Sequence, residues 1–94
     1  MPRPALTEQD HQKGRALGLV LVQARGARSC DSVARASGVV VDTLRAIERG
    51  SVASPGVFVV SAVARELGLS VDQVLADVAY RVDPDQTRMS GHRS

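Results

Sequence analysis

The chain has no tryptophan and no asparagine, and only one tyrosine and one phenylalanine. With aromatics at 2% of residues, a folded core must be built from Val, Leu and Ala, without large aromatic anchors. Such residues pack well between short helices. A single cysteine excludes an internal disulfide and fits a reducing compartment. No apolar run reaches the roughly 18 residues needed to span a bilayer. No basic segment followed by an apolar stretch opens the chain, so no signal peptide is expected. His11 and His92 lie near opposite ends, no Cys/His cluster has zinc spacing, and Ser, His and acidic residues form no catalytic set. The expectation is a non-enzymatic cytoplasmic domain with no cofactor, no metal and no membrane contact.

What is present is a mildly basic chain. Ninety-four residues make one domain with little spare length, at 44% hydrophobic content. The net charge is +2, and eleven of the twelve basic residues are Arg. Arg in place of Lys, with a single Ile, has the look of GC-rich bacterial coding. Arg is then the chain's default cation, which weakens any inference from Arg alone to phosphate binding. A balance of this size is compatible with DNA without demanding it.

Apolar spacing divides the chain into five helices and no strands. Residues 1–7, with Pro2 and Pro4, read as a flexible arm. Thr7 with Asp10 resembles a capping box, opening a helix over Glu8–Arg25. Leu17, Val20, Leu21 and Ala24 form its apolar face, and Leu19 and Val22 widen that face enough to predict burial on two sides. Gly14 and Gly18 weaken the helix by roughly 1 kcal/mol each relative to Ala and permit close approach of a neighbour. Ser29 caps a second helix that carries Asp31 in its first turn, and Val33, Ala34 and Ala36 supply contacts. Gly38 ends it in a left-handed conformation.

A third helix follows from Val41 to Arg49. At 100° per residue, Val40, Leu44 and Ile47 share the buried side, while Asp42, Arg45, Ala46 and Arg49 lie opposite. Gly50 stops the helix. Pro55 begins a fourth helix, with Val57, Val60, Val63, Ala64 and Leu67 as its apolar stripe and Gly68 at its end. Ser70 caps a fifth, built on Val71, Val74, Leu75 and Val78. From about Asp83 to Ser94 the composition turns polar and reads as a disordered tail. The fold class is therefore all-α: a compact five-helix bundle over 8–82 with two tightly turned helices, a helix-turn-helix, at its centre.

These residues resemble the lambda-repressor-like, or XRE, family of bacterial and phage DNA-binding regulators, over about residues 13–78. Ser29 with Val33-Ala34 is similar to the start of the family's second helix, and Ala36-Ser37-Gly38-Val39 to its turn. Leu44, Ile47, Glu48, Arg49 and Gly50 resemble the end of its third helix. Pro55, Val57, Val60, Val63-Ala64, Leu67-Gly68-Leu69-Ser70 and Asp72 match its last two helices nearly residue for residue. The resemblance implies a domain that binds operator DNA as a symmetric dimer, with the third helix in the major groove. It places Val41, Asp42, Thr43, Arg45 and Ala46 at the reading positions. It puts Ser29 and Cys30 where a helix N-terminus approaches a phosphate. Glu48 corresponds to an acid that buttresses the domain through an ion pair. Cys30 stands where the family often has Gln. Val40 stands where it usually has Ser, so the third helix loses a side-chain cap that Asp42 partly replaces.

The chemistry of those positions gives two readings. Arg45 is the one strong reader, able to contact guanine with two parallel hydrogen bonds, against the plain reading of a solvated surface Arg. Arg28, Arg35 and Arg49 either contact phosphates or are simply solvated. Cys30 at a helix N-terminus is either a redox-sensitive thiol or an inert filler. Val71, Val74, Leu75 and Val78, with Tyr80, either form a homodimer seam or close the core. The leading expectation is a transcriptional repressor that works by occupying an operator, as a homodimer on double-stranded DNA in the nucleoid-containing bacterial cytoplasm. The alternative is a protein-interaction module, such as an antitoxin, whose Val39-Val40-Val41 run and Asp42 make the third helix stickier and less cationic.

Overall fold

In the computed structural model, residues 7–83 are described, and they form five α-helices with no strand among them. These are α1 (Glu8–Arg25), α2 (Cys30–Ser37), α3 (Val41–Glu48), α4 (Val57–Glu66) and α5 (Val71–Val82). Residues 1–6 of the expected arm 1–7 and 84–94 of the expected tail 83–94 lie outside the described residues, while Thr7 is the N-cap of α1 and Asp83 the C-cap of α5.

The helix starts are written in the local sequence. The Thr7 hydroxyl accepts from the Asp10 N–H at 3.1 Å, and the Thr7 N–H donates to the Asp10 carboxylate at 3.0 Å. Ser70 and Gln73 form the same reciprocal pair on α5. The Ser29 hydroxyl accepts from Ser32 N–H at 3.0 Å and caps α2. Each bond satisfies an amide that the helix itself leaves unpaired. Val40 begins α3 with no side-chain cap, as its chemistry dictates.

Gly38 makes the turn between α2 and α3. It sits at φ 78° and ψ 17°, the left-handed region that side chains disfavour. Its N–H reaches the Arg35 carbonyl, and the next amide, Val39, reaches Ala34 at 3.0 Å. That closes α2 and leaves only Val39 and Val40 before α3 begins.

The core is one aliphatic cluster. Leu17, Val20 and Leu21 of α1 meet Val33 and Ala34 of α2, Leu44 and Ile47 of α3, Val63 and Ala64 of α4, and Val74 and Val78 of α5. α1 lies across α3 and α5, while α2 packs on α3 and α4. No polar or charged residue is buried among the described residues. The α1–α3 contact is unusually close because it has glycine in it. A Cβ at Gly18 would fall 2.6 Å from the carbonyl oxygens of both Ile47 and Glu48, and one at Gly14 would fall 2.6 Å from that of Val52.

Several expectations of burial are corrected. Val40 is 67% exposed. It has extended backbone at φ −62°, ψ 132°, so the helical projection that grouped it with Leu44 and Ile47 does not apply to it. Leu19 is exposed and Val22 half-buried, so α1 is covered along one broad face rather than on two sides. Ala24 and Ala36 also face outward. Pro55 lies outside α4, which starts at Val57 after an N-cap at Gly56. With that start, Val57 is exposed, like Leu75 on α5. Arg49 is the C-cap of α3 rather than its last turn.

Candidate functional site

The face built by the start of α2 and the outer side of α3 gathers most of the residues singled out by sequence. Ser29 lies exposed at the α2 N-terminus, with Asp31 in the first turn. Along α3, Asp42, Thr43 and Arg45 are exposed, Val41 and Ala46 are half-buried, and Arg49 is exposed at the end. A shallow groove of about 350 Å³ runs between the helices, lined by Asp31, Ala34, Arg35, Val39 and Val41.

Arg45 is engaged within the protein. Its Nη2 donates to the Asp31 Oδ1 at 2.9 Å, and its Nη1 lies 3.9 Å from the Asp42 Oδ1. Two carboxylates therefore flank the one cation at the centre of this face. All three side chains are about half or more exposed, so the pair is screened and exchangeable. Arg28 is likewise engaged, 3.0 Å from Glu66 of α4. It sits in the loop before α2 and is tied to the body of the domain rather than free. Arg35 and Arg49 make no ion pair among the described residues.

Behind this face lies a stronger pair. Arg25, the last residue of α1, meets Glu48, the last of α3, through Nε at 2.8 Å and Nη2 at 3.1 Å. The Arg25 Nη1 also donates to the Arg28 carbonyl at 2.8 Å. The Glu48 side chain is only 9% exposed and that of Arg25 22%. This side-on pairing, with both carboxylate oxygens used, is the strong geometry for Arg with an acid. The Glu48 hydrogen bond raises the Arg25 guanidinium above its ordinary value, so it is charged at any working pH.

Cys30 is half-buried beside this pair. Burial pushes its thiol above the ordinary range, and the nearby Glu48 carboxylate adds to the shift. Of the two readings of this thiol, the direction favours the inert filler over the redox-sensitive group. Desolvation and the Glu48 charge both favour the protonated thiol, and they outweigh the opposing charges of Arg25 and Arg45.

Two residues of this site escaped the sequence reading. Asp31 looked like an ordinary first-turn acid, and its contact with Arg45 spans fourteen residues. Arg25 appeared only as the end of the first helix, and its partner is twenty-three residues away. The signal available for Asp31 was the tight α2–α3 turn, which brings the α2 N-terminus over α3; for Arg25 it was Glu48, the acid for which the resemblance implied an ion-pair partner.

Elsewhere, an apolar groove of about 270 Å³ lies between the first half of α1, the loop before α4, and α5, and Leu17, Pro55, Val57 and Leu75 help to line it. Phe58 of α4 stands 87% exposed and, with Val40, Val59 and Ala62, lines a second shallow depression beside the α2–α3 turn. Of the proposed dimer seam, Val74 and Val78 are buried in the core, while Leu75 and Tyr80 are exposed. Among the described residues, no group of three or more His, Cys, Asp or Glu is placed to hold a metal, and no helix is long and apolar enough to cross a membrane. No protein-family model matches the chain, and no curated protein matches it.

Proposed function

We propose that the chain is a sequence-specific DNA-binding regulator that acts by occupying an operator, with α3 as the reading helix. The observation that carries this reading is the α2–turn–α3 unit. A Ser-capped helix N-terminus stands beside the exposed polar side of a second short helix, and the two are joined by a left-handed Gly38. This is the shape with which a helix-turn-helix enters the major groove while the first helix crosses the backbone. Support comes from the resemblance of residues 13–78 to lambda-repressor-like regulators, and from the Arg25–Glu48 pair that fixes α3 against α1. Arg45 would read guanine, Asp42 a cytosine amine, and Val41 a thymine methyl. Arg35 and Arg49 at the edges would meet phosphates, as would Arg28 once released from Glu66.

A duplex operator is read most tightly by a two-fold dimer, so homodimerisation through Leu75 and Tyr80 of α5 belongs to the proposal. The test is binding of the full chain to its own upstream DNA and to a shuffled control across a salt series. The reading requires a preference of about 10³ or more that falls steeply with salt. Weak, equal binding to both fragments removes it.

A second reading has its own observation. Arg45 is flanked by two acids, and Val40 and Phe58 present apolar surface beside the α2–α3 turn. A protein-interaction module, with an antitoxin as one form, fits those features. Deleting residues 84–94 separates the forms: loss of partner binding with DNA binding retained marks an antitoxin.

A further inference from the structure

The geometry points to Asp31 as a specificity-determining residue that acts through Arg45, favouring guanine over phosphate as the partner of that guanidinium. The inference rests on the DNA-binding reading above and adds a role for a residue outside α3.

A guanidinium carries five N–H donors in a planar fork. Asp31 takes one, on Nη2, from a different helix, so the Arg45 plane is biased toward one orientation by an exchangeable contact from the side. A phosphate offers Arg45 what Asp31 already supplies, a charge-assisted hydrogen bond to an anionic oxygen. To collect it, the phosphate must approach two carboxylates, Asp31 at 2.9 Å and Asp42 at 3.9 Å from the guanidinium. Exchange with phosphate is therefore close to neutral or unfavourable.

The major-groove edge of guanine offers neutral acceptors, O6 and N7. Arg45 can donate its remaining N–H groups to them while keeping its bond to Asp31. The same carboxylate thus orients the reader and rejects the non-specific partner. Discrimination that combines an attractive contact with a repulsive one is a general route to specificity.

The test uses the full chain and a pool of duplexes randomised over about 20 base pairs, two turns of DNA. Affinity is measured for the duplex that wild type enriches best and for the unselected pool. Asp31→Asn should tighten binding to the pool by about fivefold, the scale of one exposed ion pair, and leave the enriched duplex little changed. The discrimination ratio should fall by a similar factor, and the salt slope on the pool should steepen by about one. Asp31 is exposed and Ser29 still caps α2, so the variant should melt near wild type. In an Arg45→Ala background, Asp31→Asn should leave the ratio unchanged, because the residue through which it acts is gone.

An unchanged ratio in the single variant overturns the inference. So does an equal fall in the Arg45→Ala background, which would reduce Asp31 to a source of general repulsion. Absence of salt-dependent DNA binding in both wild type and Asp31→Asn removes the DNA-binding reading itself, a different outcome from either of these.

Discussion

Arg25 and Glu48 close the domain from opposite ends of two helices: each is the last residue of its own, and they meet through two hydrogen bonds at 2.8 and 3.1 Å. α1 thereby holds the C-terminal end of α3 while Leu44 and Ile47 anchor its inner side. The position of the exposed side of α3 is set by this pair together with Leu44 and Ile47.

Arg25→Ala should therefore destabilise the domain by about 2–3 kcal/mol, since it leaves the nearly buried Glu48 carboxylate without its charged donor. Replacing both partners with apolar residues should be milder than removing one. Urea unfolding of the two single variants and the double variant measures the difference. Equal loss in all three would show that leaving one partner alone carries no penalty of its own.

The α1–α3 contact leaves no room at Gly18. Gly18→Ala should lower stability by more than 1 kcal/mol despite the better helix propensity of Ala, because its methyl meets two backbone carbonyls at 2.6 Å. Thermal melting checks this, and a gain in Tm would mean that the helices can separate freely.

Core and surface apolar residues should behave oppositely. Leu44→Ala, at a fully buried site, should cost about 2–5 kcal/mol. Phe58→Ala should stay within about 0.5 kcal/mol, because the ring is almost wholly in solvent. Denaturant titrations of the pair decide it.

Cys30 makes stability fall at alkaline pH. Its thiol is raised in the folded protein, so the folded state holds the proton where the unfolded chain has begun to lose it. The contribution is full below the unfolded thiol value of about 8.5 and is lost as pH rises through the folded one. Stability curves for wild type and Cys30→Ala should converge in shape at neutral pH and separate above it. Thiol alkylation at neutral pH should also run slower in the folded chain than in denaturant.

At the acid end, Asp10 gives the opposite sign. The Thr7 N–H bonded to its carboxylate holds it below the usual carboxylate range. The stabilisation of the α1 start is present above about pH 4 and is lost as pH falls through the depressed value. Asp10→Asn should flatten that acid limb, as read by helical circular dichroism.

The helices were legible because their signals are local. Thr7, Ser29 and Ser70 announce starts, Gly38 announces an end, and the spacing of Leu17, Val20 and Leu21 announces a face. Burial was misread where a residue left the helical frame, as with Val40, or where a wide stripe on α1 outran the surface available to cover it, as with Leu19. The positions of Ser29, Asp42 and Arg45 on one face followed from the α2–α3 turn. Their electrostatic state did not, because the partners of Arg45 and Arg28 come from α2 and α4 and no local pattern encodes them.

The aliphatic core has an optical consequence. The single Tyr and single Phe are both on the surface, and there is no Trp. Packing inside the domain is therefore nearly silent to ultraviolet absorption and fluorescence. Phe58, 87% exposed on α4, and Tyr80, 53% exposed on α5, are placed to respond to an object arriving at those helices from outside, with Phe58 the one that folding disturbs less.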